Sequence, residues 1–335
     1  WLKPAIGRAG GLAPPRGRER ASWEDPRRPG TRQRERAMAA LGGLWQVAFP
    51  EGGPYDAKGW VPRETVAARV GLFVALFLCV WCLLLLILKA RHPSEAKLHG
   101  VGLSVWALKG MILVHHLISG AWALSIILGD SVLWKILSFR GGTDEARRML
   151  VVYPEPGTES AALLVPFTVA YMTADLLLFP FWAKDSETPL FVFHHLFSMY
   201  FWSEGLRYDC GQRYALYLIG NELTGGFLVF RWMLSQAGMK SSMLYAVNGT
   251  IFTLAFIVVR VVPIPAIIRS TAMYFPLREP WKIDPPSIYI RCLQVCGCLA
   301  IYLPLLLNAY WASKVIKGYA QAARSFCGKS KKKGH

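Results

Sequence analysis

Residues 69–88 read RVGLFVALFLCVWCLLLLIL, a run whose only charge, Arg69, stands at the first position. A helix rises about 1.5 Å per residue, so a block of this length matches the roughly 30 Å hydrocarbon layer of a bilayer. Hydrocarbon offers no water to a backbone N–H or C=O, so the block must satisfy its own hydrogen bonds as an α-helix. Further apolar runs lie at about 106–128, 161–183, 189–203, 214–234, 244–268 and 290–312. The expected fold is therefore all-α, a multi-pass transmembrane bundle of about seven helices around a polar cavity. The run 189–203, PLFVFHHLFSMYFWS, is short and polar at its centre, which suits a re-entrant or internally packed segment as well as a span. Pro180, Pro263, Pro265 and Pro304 lie inside or near span ends and are expected to kink them.

The chain is 53% hydrophobic and carries a formal charge of +17. A nucleic-acid partner would require basic residues spread over a folded surface. Here they sit at the two ends: residues 1–37 hold +6 and residues 314–335 hold +7. Only +4 remains for the 276 residues between them. That pattern excludes nucleic acid and fits basic ends that meet water and anionic headgroups.

Four segments follow. Residues 1–37, rich in Arg, Gly and Pro, show no helix or strand period and read as disordered or as translated sequence upstream of Met38. Residues 38–68 read as a non-cytosolic N-terminal segment, 69–313 as the transmembrane domain and 314–335 as a basic cytosolic tail. Lys89, Arg91 and Lys97 after the first span, together with the tail, set this orientation by the positive-inside rule. Lys332 and Lys333 look like a dilysine retrieval signal, which points to the endoplasmic reticulum. In the loop 129–160, SVLWKILSF has the pattern of a short interfacial amphipathic helix. Cys79, Cys82, Cys292, Cys296 and Cys298 fall within spans and read as small packing residues. The Cys79 and Cys82 C-x-x-C lacks a second ligand pair, and no metal site or cofactor is expected.

Ionisable side chains in the middle of a span cost about 2.5–3.5 kcal/mol each unless they find a partner or water. The polar set in the apolar runs is Lys109, His115, His116, Asp175, His194, His195, Glu222, Arg231, Asn248 and Arg260. Lys109 and Arg231 lie nearer span ends, where a long cation can snorkel. Two explanations stand side by side: interhelical hydrogen bonding, or a polar cavity that receives a ligand. Adjacent helix residues point about 100° apart. One of His194 and His195 can thus face a cavity while the other holds a neighbouring helix. Imidazole is suited to take and return a proton near neutral pH, and Asp175 in the preceding span is placed to orient either ring.

Asp175-Leu-Leu-Leu, followed 19 residues later by His194-His195-Leu-Phe-Ser-Met-Tyr, resembles the TLC domain. That domain is shared by ceramide synthases, translocon-associated membrane proteins and smaller TLC-domain proteins. Asn221-Glu222-Leu223-Thr224 with Arg231-Trp232, and Asn248-Gly249 with Arg260, are similar to segments of the smaller proteins. The resemblance covers roughly residues 69–313. Ceramide synthases continue past the histidine pair to a further His-Asp and another Asp, whereas this chain reads GNELTGGFLVFRW there.

The resemblance implies a helical bundle around a lipid-sized cavity. The expected function is to bind or sense lipid and contribute to membrane lipid homeostasis. Its lipid-binding set is His115, His116, Asp175, His194, His195, Glu222, Arg231, Asn248 and Arg260. The alternative is an acyltransferase of the ceramide synthase type with His194, His195 and Asp175 as catalytic residues and acyl-CoA as co-substrate. The expected partners are membrane lipids, with sphingolipid, acyl-CoA and phospholipid as the classes considered.

Overall fold

The computed structural model describes residues 30–50, 61–150, 158–181, 188–208, 210–274 and 288–332. Residues up to Gly43 form one compact unit and those from Leu44 onward a second. Of the first unit, the start of helix α1 (Gly30–Ala48) is described. Its residues 30–37 are helical where no period was expected, because Arg, Gln, Glu and Ala are strong helix formers even without an apolar face. Residues 1–29 of that expectation lie outside the described residues.

The second unit is a helical bundle. Helix α2 (Arg63–Arg91) contains the first apolar block, with Glu64 in its first turn and Lys89 and Arg91 in its last, each matched to the helix dipole. A small hairpin follows, pairing Lys97 with Gly102 and Leu98 with Val101. It turns through His99 and Gly100 at φ of 51° and 79°, the left-handed pair that a tight two-residue turn demands. The chain then runs through α3 (Leu103–Gly129), α4 (Ser131–Leu137), α5 (Thr143–Leu150), α6 (Thr158–Leu177) and α7 (Thr188–Arg207). It continues through α8 (Gln212–Gly220), α9 (Glu222–Gln236), α10 (Met243–Phe256), α11 (Ile264–Met273), α12 (Ile288–Ala300) and α13 (Tyr302–Lys332).

Five stretches among the described residues are long and apolar enough to cross a membrane: 63–91, 103–129, 160–177, 243–273 and 291–321. Two of the seven expected runs are not among them. The run 189–203 lies within α7, and 214–234 is divided at Asn221 into α8 and α9. These two runs carry His194, His195 and Glu222, and their polarity is what lowers their hydropathy.

Helix α6 is the centre of the bundle, with 72% of its span buried against 6% for α2. Phe77, Leu108, Met111, Leu164, Met172 and Ile219 join α2, α3, α6 and α8 in one apolar core. Leu83, Leu86 and Ile87 of α2 face outward, as an apolar helix does when hydrocarbon surrounds it. The same outward faces of α2 and α12 carry Cys79, Cys82, Cys292 and Cys296. Of the five span cysteines, Cys298 is the buried one.

Each of the four prolines expected to kink a span lies at a change of helical path, whereas Pro166 sits inside the continuous α6. Pro180 lies in a 3-10 turn, Phe179–Phe181, just after α6. Pro263 follows a π turn over Ile257–Val261 that separates α10 from α11, and Pro265 sits in the first turn of α11, where its missing N–H is harmless. Pro304 lies just after the break between α12 and α13. The segment SVLWKILSF forms α4, with Val132, Leu133 and Ile136 buried and Trp134 outward. Helix α13 continues unbroken into the basic tail as far as Lys332.

Candidate functional site

Helices α3, α6, α7 and α9 bring a histidine cluster together in the bundle. His115 of α3 is fully buried, its ring stacked on Tyr171 of α6 with centroids 3.7 Å apart and planes 10° apart. Neither of its ring nitrogens has a hydrogen-bond partner among the described residues. Its neighbour His116 turns toward α9, where Nδ1 lies 2.6 Å from Glu222 Oε2. Glycine makes this close approach of α3 and α9 possible. A Cβ on Gly225 would come 2.8 Å from the His116 ring, and one on Gly120 would come 2.6 Å from Leu223 Cα. On α7, His195 Nδ1 stands 3.6 Å from Asp175 Oδ2, within ion-pair range but longer than a hydrogen bond.

The other histidine of the pair faces elsewhere. His194 lines a cleft of about 1170 Å³, its open mouth included, formed by α7, α8, α9, α12 and α13 and floored by residues of the bundle core. Phe193, Phe197, Phe201, Trp202, Leu303, Leu307 and Trp311 give it apolar walls. Asn221, Glu222, Arg260 and Asn308 join His194 as its polar patch.

Arg260 owes its position to two breaks in helical geometry. The π turn over Ile257–Val261 carries it, and at the interruption between α8 and α9 the carbonyl of Asn221 accepts from it as well as from Thr224. Its Nη2 donates to that carbonyl at 2.7 Å, Nε to Thr224 Oγ1 at 2.6 Å and Nη1 to Asn308 Oδ1 at 3.2 Å. All three acceptors are neutral. Among the described residues no carboxylate lies within 4.0 Å of the guanidinium, although Glu222 acts on its charge through space.

The expected lipid-binding set thus divides. His194, Glu222 and Arg260 line the cleft; His115, His116, Asp175 and His195 pack behind it. Arg231 and Asn248 lie between α9 and α10 instead. Arg231 lies over the Tyr245 ring at 3.8 Å and donates to Tyr245 O at 3.2 Å. Asn248 Nδ2 donates to Phe227 O at 2.9 Å, so both side chains fasten α9 to α10. Lys109 lies 5.6 Å from the Trp232 ring centroid. Sequence reasoning passed over Tyr171, Thr224 and Asn308. Asn308 was visible as one of two amides, with Gln294, inside the run 290–312, whereas Tyr171 looks like any other aromatic core residue.

A metal can be tested on this donor set. His115, His116 and Glu222 offer three ligand atoms within 4.8 Å of one another. Two ligands of a tetrahedral zinc at bonds of about 2.0–2.1 Å sit about 3.3 Å apart. The 2.6 Å between His116 and Glu222 is shorter than that, so the side chains as placed do not have the ligand spacing of a zinc site.

The sequence profile of the TLC domain matches residues 105–317, which span every helix of the cluster and the cleft. TLC domain-containing protein 4-A of Xenopus laevis is 26% identical over 165 residues, covering 48% of this chain and 60% of the relative. TLC domain-containing protein 4 of Xenopus tropicalis is 25% identical over 205 residues, covering 60% and 73%. TLC domain-containing protein 4-B of Danio rerio is 26% identical over 252 residues, covering 74% and 86%. The chain thus spans 60% of the length of the first of these relatives. With the profile matching well over half of its length, the chain belongs to the TLC domain family.

Proposed function

We propose that this protein binds a membrane lipid in the cleft between α7, α8, α9, α12 and α13, and through it contributes to membrane lipid homeostasis. The observation that carries this is the make-up of the cleft: long apolar walls for a chain, with His194, Glu222 and Arg260 grouped as a polar end for a headgroup. Such a combination of apolar lining and a few convergent polar groups is the usual form of a ligand site. The proposed setting is the endoplasmic reticulum membrane. Lys89, Arg91 and Lys97 after α2 and the basic residues from Lys314 onward support a cytosolic side for both.

Acyl transfer is the second reading, and one observation bears on it. A base that attacks through a lipid amine or hydroxyl must face the substrate and be oriented by its acid. Asp175 stands beside His195, which is not among the residues lining the cleft. His194, which does line it, has no carboxylate within 4.0 Å among the described residues. The acid and the exposed base are on different histidines, which favours binding over transfer.

The test is a lipid profile of membranes from cells lacking the protein, rescued with wild type or with His194→Ala/His195→Ala at equal expression. Rescue of phospholipid composition by both versions supports binding or sensing. A specific amide- or ester-linked product restored only by wild type supports the transferase.

A further inference from the structure

Arg260 is a part-buried cation whose hydrogen bonds among the described residues all go to neutral oxygens. Three of its five N–H groups are donated to Asn221 O, Thr224 Oγ1 and Asn308 Oδ1, so its position is fixed while its charge is not consumed by an ion pair. Two N–H groups remain, one on each terminal nitrogen, on a side chain that lines the cleft. The acid on the same wall, Glu222, is engaged at 2.6 Å with His116 on α3. Arg260 is thereby the positive pole of the cleft, with apolar walls running from it.

Resting on the lipid-binding reading above, we infer that the lipid this cleft takes has an anionic headgroup, a carboxylate or a phosphate, seated on the two remaining N–H groups of Arg260. A guanidinium fixed in a low-dielectric site and offering two donors is the geometry that carboxylate and phosphate oxygens match. A lipid with a neutral headgroup fills the same walls but gains nothing from the charge. Neutral acceptors around the cation keep it in place before the ligand arrives, so little side-chain ordering is left to oppose binding.

The experiment uses the full chain in detergent micelles and radiolabelled lipids with one common acyl chain: oleate for the carboxylate, oleoyl lysophosphatidate for the phosphate and monoolein as the neutral control. At least one anionic lipid is expected to bind about tenfold or more tighter than monoolein, the gain expected of a charge-assisted pair. The arm that shows the gain identifies the headgroup. Arg260→Gln is expected to abolish the preference for the anionic lipid over monoolein. Since Arg260 also ties α9, the π turn and α13 together, Glu222→Gln supplies an independent arm. It removes the acid from the wall and is expected to widen the preference for the anionic lipid over monoolein. Monoolein binding as tightly as both anionic lipids overturns the inference and leaves the lipid-binding reading standing. Failure of the folded wild type to bind any of the three overturns both.

Discussion

The Nδ1 atom of His116 on α3 stands 2.6 Å from Glu222 Oε2 on α9, so a short contact joins the histidine cluster to the cleft. The two side chains are only 13% and 14% exposed, too little for water to replace a lost partner fully. His116→Ala is therefore expected to lower stability by about 1–3 kcal/mol, the cost of an unsatisfied buried group. His116→Gln, which still offers a donor, should lose less. Thermal unfolding of the purified variants measures both, and equal losses would show that the contact carries no specific energy.

A second buried pair ties the loop after α3 to α8. Asp130 Oδ2 accepts from Arg213 Nε at 2.7 Å, while its Oδ1 caps α4 by accepting from Leu133 N at 2.8 Å. Arg213 also donates to Arg148 O at 2.7 Å, so it joins α5 to the same point. Asp130→Ala is expected to cost about 2 kcal/mol or more because it removes the hydrogen bond to Arg213 and the cap of α4 together. Asp130→Asn, which keeps an oxygen for the cap, should be milder by about 1 kcal/mol. Denaturant unfolding in mixed micelles reads the order of the two, and a milder alanine variant would contradict it.

Glu145 gives the fold a pH dependence outside the spans. Its carboxylate accepts from the Gly142 backbone N–H at 2.9 Å and from Lys135 Nζ at 3.0 Å. The Gly142 N–H first, and Lys135 after it, hold the acid down from 4.5 to about 2. The folded value lies below the free one, so the contribution is fully present above about pH 4.5 and is lost as pH falls towards 2. Amide exchange in α5 should accelerate across that window in wild type. Glu145→Gln should exchange faster at neutral pH and show no further change in the window; an unchanged acid limb would place the titration elsewhere.

Much of this was legible from residues. The run 69–88 and its counterparts required membrane helices, and α2, α3 and α6 follow them closely because length and hydropathy alone fix such elements. The adjacency of His194 and His195 implied that they point apart, and one lines the cleft while the other meets Asp175. What periodicity does not encode is which helices become neighbours. Asn248 stood beside Arg260 among the deeper polar residues of the sequence, yet it fastens α9 to α10, as Arg231 does. Arg260 reaches the cleft because a π turn and the break at Asn221 re-aim it, and both arise from tertiary packing. Pro263 was the visible trace of the first.

Gly297 on α12 allows the most direct measurement. It lines the cleft, and a Cβ added there meets no described atom within 4 Å, so a large side chain can enter the space without displacing the fold. The measurement is capture of a photoreactive acyl lipid by wild type, Gly297→Phe and Arg231→Ala at equal folded amounts. The account predicts strong labelling of wild type within the cleft, undiminished labelling of Arg231→Ala, and at least a severalfold loss in Gly297→Phe. Equal labelling of Gly297→Phe and wild type would mean that the cleft is not where this protein holds its lipid.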